Sequence, residues 1–215
     1  RWRGHLDKLL APRKKGQNHH AALEFKKIPA FMDDLRKRDG FGARALEFAI
    51  LTAARSGEVR GATWSEIDFE DQVWIVPANR MKAGREHRVP LIDAAIKILQ
   101  ALPRNLDQKE DLIFTSPNGG TLSDMSLTAV LKRMNVCVTA HGFRSTFRDW
   151  AAERTSHQPE VVEMALAHTI RNQVEAAYRR GDLLEKRRKL MVDWDSFCSK
   201  NTSAKVINIS EKALA

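Results

Sequence analysis

Between Ala43 and Ala54 the sequence reads Ala-Arg-Ala-Leu-Glu-Phe-Ala-Ile-Leu-Thr-Ala-Ala. As a helix it would be apolar nearly all round, and such a helix belongs in a core with other elements packed about it. The rest of the chain offers those elements. Leu23, Ile28, Phe31, Met32 and Leu35 fit a helix interrupted or restarted at Pro29. Asp93 to Leu102 predicts another, and Ser123 can cap one running to about Asn135. Thr139 or His141 begins a helix with Phe143, Phe147, Trp150 and Ala151 on one face, and Pro159 opens the next. Val174 to Leu190 reads as helical, weakened by Gly181.

Residues 64–92 differ. Val73-Trp74-Ile75-Val76 and His87-Arg88-Val89-Pro90-Leu91 read as strands, joined by a basic turn that puts Lys82 near a hairpin tip. Ile113-Phe114 predicts a short extended piece, and Lys205 to Ile209 a lone strand. The fold class expected is α+β, mostly α-helical, with a small antiparallel β-sheet. Residues 1–22, polar and basic with Pro and Gly, read as a linker. Residues 23–195 form the expected domain, and residues 196–215 a C-terminal tail.

Charge narrows the partners. Residues 1–38 hold eleven Lys/Arg against four Asp/Glu, most of a net charge of +9. That favours a polyanion, nucleic acid being the commonest, although a basic protein without such a partner remains an alternative. No apolar run approaches the ~20 residues that span a bilayer. The first residues carry neither a leader-like apolar stretch nor an initiator Met, so a fragment of a longer protein is expected. Cys137 and Cys198 sit in no CxxC pattern and read as reduced thiols of a cytoplasmic protein.

Four local signals carry chemistry. Tyr178 is the single tyrosine among nine Phe and five Trp, in a polar, basic context. His141-Gly142-Phe143-Arg144 puts an imidazole and a guanidinium on one helix face, away from Phe143 and Phe147, as two donors suited to phosphate. Arg55 follows the apolar helix and precedes a turn capped by Ser56, with Glu58 able to orient it. His168 ends an apolar helix ten residues before Tyr178. Each alone has an ordinary explanation: a packed ring with a wet hydroxyl, a solvated surface pair, a core-edge salt bridge, a satisfied core histidine.

Their order is more specific. Leu51-Thr52-Ala53-Ala54-Arg55-Ser56-Gly57-Glu58-Val59-Arg60-Gly61-Ala62 with Trp64, Met81-Lys82 with Arg85 to Leu91, Ala140 to Arg148, His168, and Ala177-Tyr178-Arg179-Arg180 together resemble the signature blocks of tyrosine recombinases, the integrases of phages and genomic islands. The resemblance covers roughly residues 20–195 and implies the DNA breaking-rejoining fold. It departs where the family often has Gly and this chain has Ala54 and Ala167.

What the resemblance implies is metal-free phosphoryl transfer with a protein nucleophile. Tyr178 would attack a phosphodiester, forming a 3′-phosphotyrosine and releasing a 5′-hydroxyl that later rejoins. Arg55 and Arg144 would stabilise charge on the phosphate oxygens, and His168 would donate to them. Lys82 would protonate the departing oxygen, and His141 would help move the phenol proton, whose ordinary pKa is ~10. No cofactor is implied, and no paired carboxylates at metal-ligand spacing stand in the sequence. Double-stranded DNA is the implied partner, bound as a tetramer by a chain that is monomeric in solution. Host DNA-bending proteins are further candidates. Residues 1–22 would tether absent amino-terminal core-binding and arm-binding domains. Two alternatives stand: a type IB topoisomerase-like strand swivelase, and a non-catalytic DNA-binding module.

Overall fold

The computed structural model describes residues 21–104, 111–168 and 181–200. The segments of residues 1–20, 105–110, 169–180 and 201–215 lie outside that description, and with them most of the expected linker, Tyr178 and the expected strand at 205–209.

A 3-10 turn, Phe25–Lys27, leads into α1 (Ile28–Arg36), so the helix expected from Leu23 starts at the turn around Pro29, which occupies its first turn. α2 (Phe41–Thr52) is the central helix, with Ala45, Leu46, Phe48 and Leu51 fully enclosed. Its one buried carboxylate, Glu47, is paired with Arg36 Nε at 2.9 Å and Arg44 Nη1 at 2.6 Å. That pairing is what makes a buried charge tolerable. α3 (Ser56–Arg60) follows, then a 3-10 turn, Trp64–Glu66.

The sheet is antiparallel and ordered β1 (Ile67–Asp68), β2 (Val73–Val76), β3 (His87–Pro90). β2 and β3 pair with Trp74 opposite Val89 and Val76 opposite His87. Alternation turns Val89 into the core beneath the sheet. β1 is an addition to the two expected strands. Ile113-Phe114, expected to be extended, forms instead a bend between isolated bridges at Leu112 and Thr115, with Ile113 N–H donating to Ala62 O at 2.9 Å.

Four more helices follow among the described residues: α4 (Asp93–Ala101), α5 (Ser126–Arg133), α6 (Gly142–Arg154) and α7 (Pro159–Ala165). α5 starts three residues after Ser123, the expected cap, because Ser123 O instead closes a turn with Ser126 N–H at 3.0 Å. The last described helix, α8 (Leu184–Cys198), covers the end of the helix expected at 174–190 and runs beyond it; residues 181–183 are not helical, and residues 174–180 lie outside the described residues. It packs on α1, α2, α7 and β3. Trp194 is fully buried, stacks among Phe147, Trp150 and Phe197, and donates its indole N–H to Ile50 O at 2.9 Å. α8 continues past residue 195 and buries Cys198, so the packed body reaches at least that far. Burial pushes the Cys198 thiol well above its ordinary value, leaving it an inert filler of the core. Among the described residues no helix is long and apolar enough to cross a membrane.

Candidate active site

The site is built at two helix ends. α2 stops at Ala53, which adopts a left-handed conformation with φ 51° and swings the chain out of the core. Arg55, not Ser56, then caps α3. Its backbone N–H donates to Glu58 Oε2 at 2.9 Å and its Nη1 to Glu58 Oε1 at 2.7 Å. Glu58 is at the third helical position, from which a carboxylate reaches back to the cap. Its own burial, at 6% exposure, leaves the guanidinium little freedom.

α6 begins beneath the incoming chain. A Cβ on Gly142 would fall 2.1 Å from Ala21 O, so only glycine lets the two backbones cross here. His141 occupies the cap of α6 and is exposed. The spacing predicts His141 and Arg144 side by side on the solvent face, but Arg144 turns inward and is 5% exposed. It does so because carbonyl groups await it. Its Nη1 donates to Ala53 O, at the end of α2, and its Nη2 to Leu166 O, just past α7.

The end of α7 brings the arginines together. Ala167 is left-handed, with φ 49°, and leaves Leu166 O and Ala167 O outside the helix. Arg55 Nη2 donates to Ala167 O at 3.2 Å and lies 3.5 Å from Leu166 O, the carbonyl that Arg144 also uses. The negative end of the α7 dipole therefore faces two guanidinium groups. Burial first, and then the charge of Arg55, lower the Arg144 pKa to about 10, so it stays charged at neutral pH.

His168 joins the cluster, with Nε2 3.4 Å from Arg144 Nη2. Its Nδ1 is 2.6 Å from Glu163 Oε2, which assigns a proton to Nδ1 and sets the ring's orientation. Glu163 Oε1 accepts from Arg148 Nε at 2.6 Å. Burial alone would raise the Glu163 pKa, but hydrogen bonds from His168 and Arg148 outweigh it and hold the carboxylate low. Arg55, Glu58, Arg144 and His168 thus form one connected network. Lys82 is exposed on the β2–β3 loop, inside a turn closed by Gly84 N–H on Met81 O at 3.0 Å. Tyr178 lies outside the described residues. Among the described residues no group of His, Cys, Asp and Glu is arranged to hold a metal.

Residues 21–183 match the Phage integrase family. The chain belongs to that family. Prophage integrase IntA of Escherichia coli K12 is 37% identical over 163 residues, covering 74% of this chain and 39% of IntA. The integrase of mycobacterium phage Brujita superposes with a TM-score of 0.63 at 18% identity, over 89% of this chain and 63% of that one. A lambda integrase dimer bound to a COC′ core site gives 0.53 at 20% identity, over 76% and 48%. These two likenesses are of fold. The chain spans about half the length, or less, of the curated relatives it matches, between 39% and 52% for the first four.

Three residues beyond the sequence-predicted set complete the surroundings. Glu163 orients His168. Arg187 on α8 is 1% exposed and pins the start of that helix: Nε donates to Asp182 O at 2.7 Å, Nη2 to Asp182 Oδ2 at 2.8 Å, and Nη1 to Arg88 O. His87 lies between these elements. Burial, then the charge of Arg187, lower its pKa to about 4, with Arg55 adding to the effect and Glu58 opposing it.

His87 sets a pH dependence of stability. Its folded pKa lies below the ordinary 6.5, so on acidification the unfolded chain takes the proton first. The contribution is complete above about pH 6.5 and is lost as pH falls towards 4, to roughly 3 kcal/mol in all. Urea unfolding between pH 7.5 and 4 is expected to show this slope in the wild type, and a shallower one in His87→Gln. Parallel slopes for the two proteins would refute the assignment.

Proposed function

We propose that this chain is the catalytic part of a site-specific DNA recombinase that integrates and excises a prophage or genomic island. The observation that carries the reading is the convergence of Arg55 and Arg144 on one helix end, with His168 beside them, in a family of integrases. Two forks held by neighbouring atoms can grip the non-bridging oxygens of a single phosphate and stabilise the charge that gathers there during transfer.

In the proposed reaction the Tyr178 oxygen attacks phosphorus and its proton passes towards His141. The bond to the 5′-oxygen breaks as Lys82 supplies that oxygen with a proton. A 5′-hydroxyl from a partner strand reverses the step and rejoins the DNA. The phosphotyrosine conserves the bond energy, so the scheme draws on no nucleotide and no metal. Double-stranded DNA as partner is supported by the lambda relative bound to its core site. We extend the proposal to a tetramer on DNA, a monomer free in solution, host DNA-bending proteins as accessory partners, and action in the cytoplasm.

The test is covalent capture. The chain is incubated with a randomised pool of nicked duplexes, with and without EDTA, and any adduct is digested and sequenced. A protease-sensitive adduct on the Tyr178 peptide, equal in both conditions, is expected. An adduct elsewhere would reassign the nucleophile, and loss in EDTA would end the metal-free scheme. Capture without exchange between two duplexes would favour a swivelase, and binding without capture a non-catalytic module.

A further inference from the structure

Lys82 is exposed on the loop of residues 77–86, yet a proton donor must be held in place relative to the phosphate clamp. The structure shows what could hold it. Arg80 ends the 3-10 turn Ala78–Arg80, two residues before Lys82. Its Nη1 meets both carboxylate oxygens of Glu66, and its Nη2 donates to the backbone carbonyl of Glu58. Glu66 is anchored in turn: Oε2 accepts the indole N–H of the fully buried Trp74 at 2.9 Å. The guanidinium lies close over Gly61, where a Cβ would come within 3.2 Å of Nη2. Met81, between Arg80 and Lys82, is itself buried.

Glu58 is the meeting point. Its side chain grips Arg55 while its main-chain oxygen grips Arg80. Arg80 is 21% exposed and Glu66 9%, so this is not a solvated surface pair of little worth. A planar fork with two acceptors fixed on different elements constrains direction as well as distance. Lys82 Cα is at most about 7 Å of chain from the Cα of Arg80.

We infer that Arg80 is a positioning residue that sets Lys82 against Arg55, joining the proton donor to the phosphate clamp through Glu58. The inference rests on the proposed role of Lys82 as general acid.

The test uses two versions of a nicked duplex selected by covalent capture on the wild-type chain. One has the natural oxygen at the 5′-bridging position of the cleaved phosphate, the other sulfur. A thiolate departs without a proton, so the sulfur duplex bypasses the general acid. Arg80→Met is expected to slow cleavage of the oxygen duplex about 100-fold and of the sulfur duplex less than about threefold. Glu66→Gln keeps the side-chain volume and the bond from Trp74, and is expected to give the same selective loss in milder form. Lys82→Ala is the reference. If sulfur fails to restore Lys82→Ala, the proton-donor reading falls, whatever Arg80 does. If sulfur restores Lys82→Ala while both other variants lose equally on the two duplexes, or lose nothing, the positioning role of Arg80 is overturned and it is only a brace of the fold.

Discussion

Tyr178→Phe is expected to give no detectable covalent complex while binding duplex DNA within about twofold of the wild type. The substitution keeps the ring and removes one oxygen, the atom that would bond to phosphorus. The chain contains no second tyrosine to take over. Both flanks of the segment carrying Tyr178 are held: His168 by Glu163 and Arg144, and Asp182 by the buried Arg187. A denaturing gel for capture, beside a filter-binding curve for affinity, separates chemistry from binding. Persistent capture by the Phe variant would remove Tyr178 from the mechanism.

Arg144→Ala is expected to lower cleavage by about 10²–10³-fold, the usual cost of one preorganised donor to a developing oxyanion. It should also destabilise the fold by about 1–3 kcal/mol, because Ala53 O loses its donor inside the protein and Leu166 O keeps only the longer contact with Arg55. Arg144→Lys keeps the charge, but one ammonium cannot span both carbonyls and a phosphate, so most of the rate should still be lost. Single-turnover cleavage and urea unfolding of both variants check the two effects. A loss of less than tenfold in Arg144→Ala would remove this guanidinium from the phosphate clamp.

The helices and the hairpin were legible because their signals are local. The apolar run at 43–54 and the paired strands around Lys82 stand where the pattern puts them. The Arg55–Glu58 contact was legible too, since it spans one helical turn. Capping by Arg55 rather than Ser56 was not, because it depends on where the turn after Ala53 releases the chain. Glu163 was missed because five residues separate it from His168, a spacing no regular helix brings together; the left-handed Ala167 does. Arg144 was expected outward because the carbonyls that draw it in come from remote turns at 53 and 166. His87 did leave a signal: strand alternation places it on the same side as the buried Val89. Its charged neighbours, Arg55 and Arg187, come from distant segments. The family's frequent glycine at the place of Ala167 gains a reason, since that residue is left-handed. Before Arg55 the left-handed residue is Ala53 rather than Ala54.

Those two alanines have a wider consequence. Each bend is held against a cost on the order of 1 kcal/mol, and each presents an oxygen to an arginine. Under the proposed activity, incoming DNA must share those donors with the main chain instead of finding them idle. The grip is weakened by that competition, and letting go is made easier by the same amount. Such a hold suits chemistry in which joining must run as readily as cutting, and in which a partner that is never released would stall the exchange.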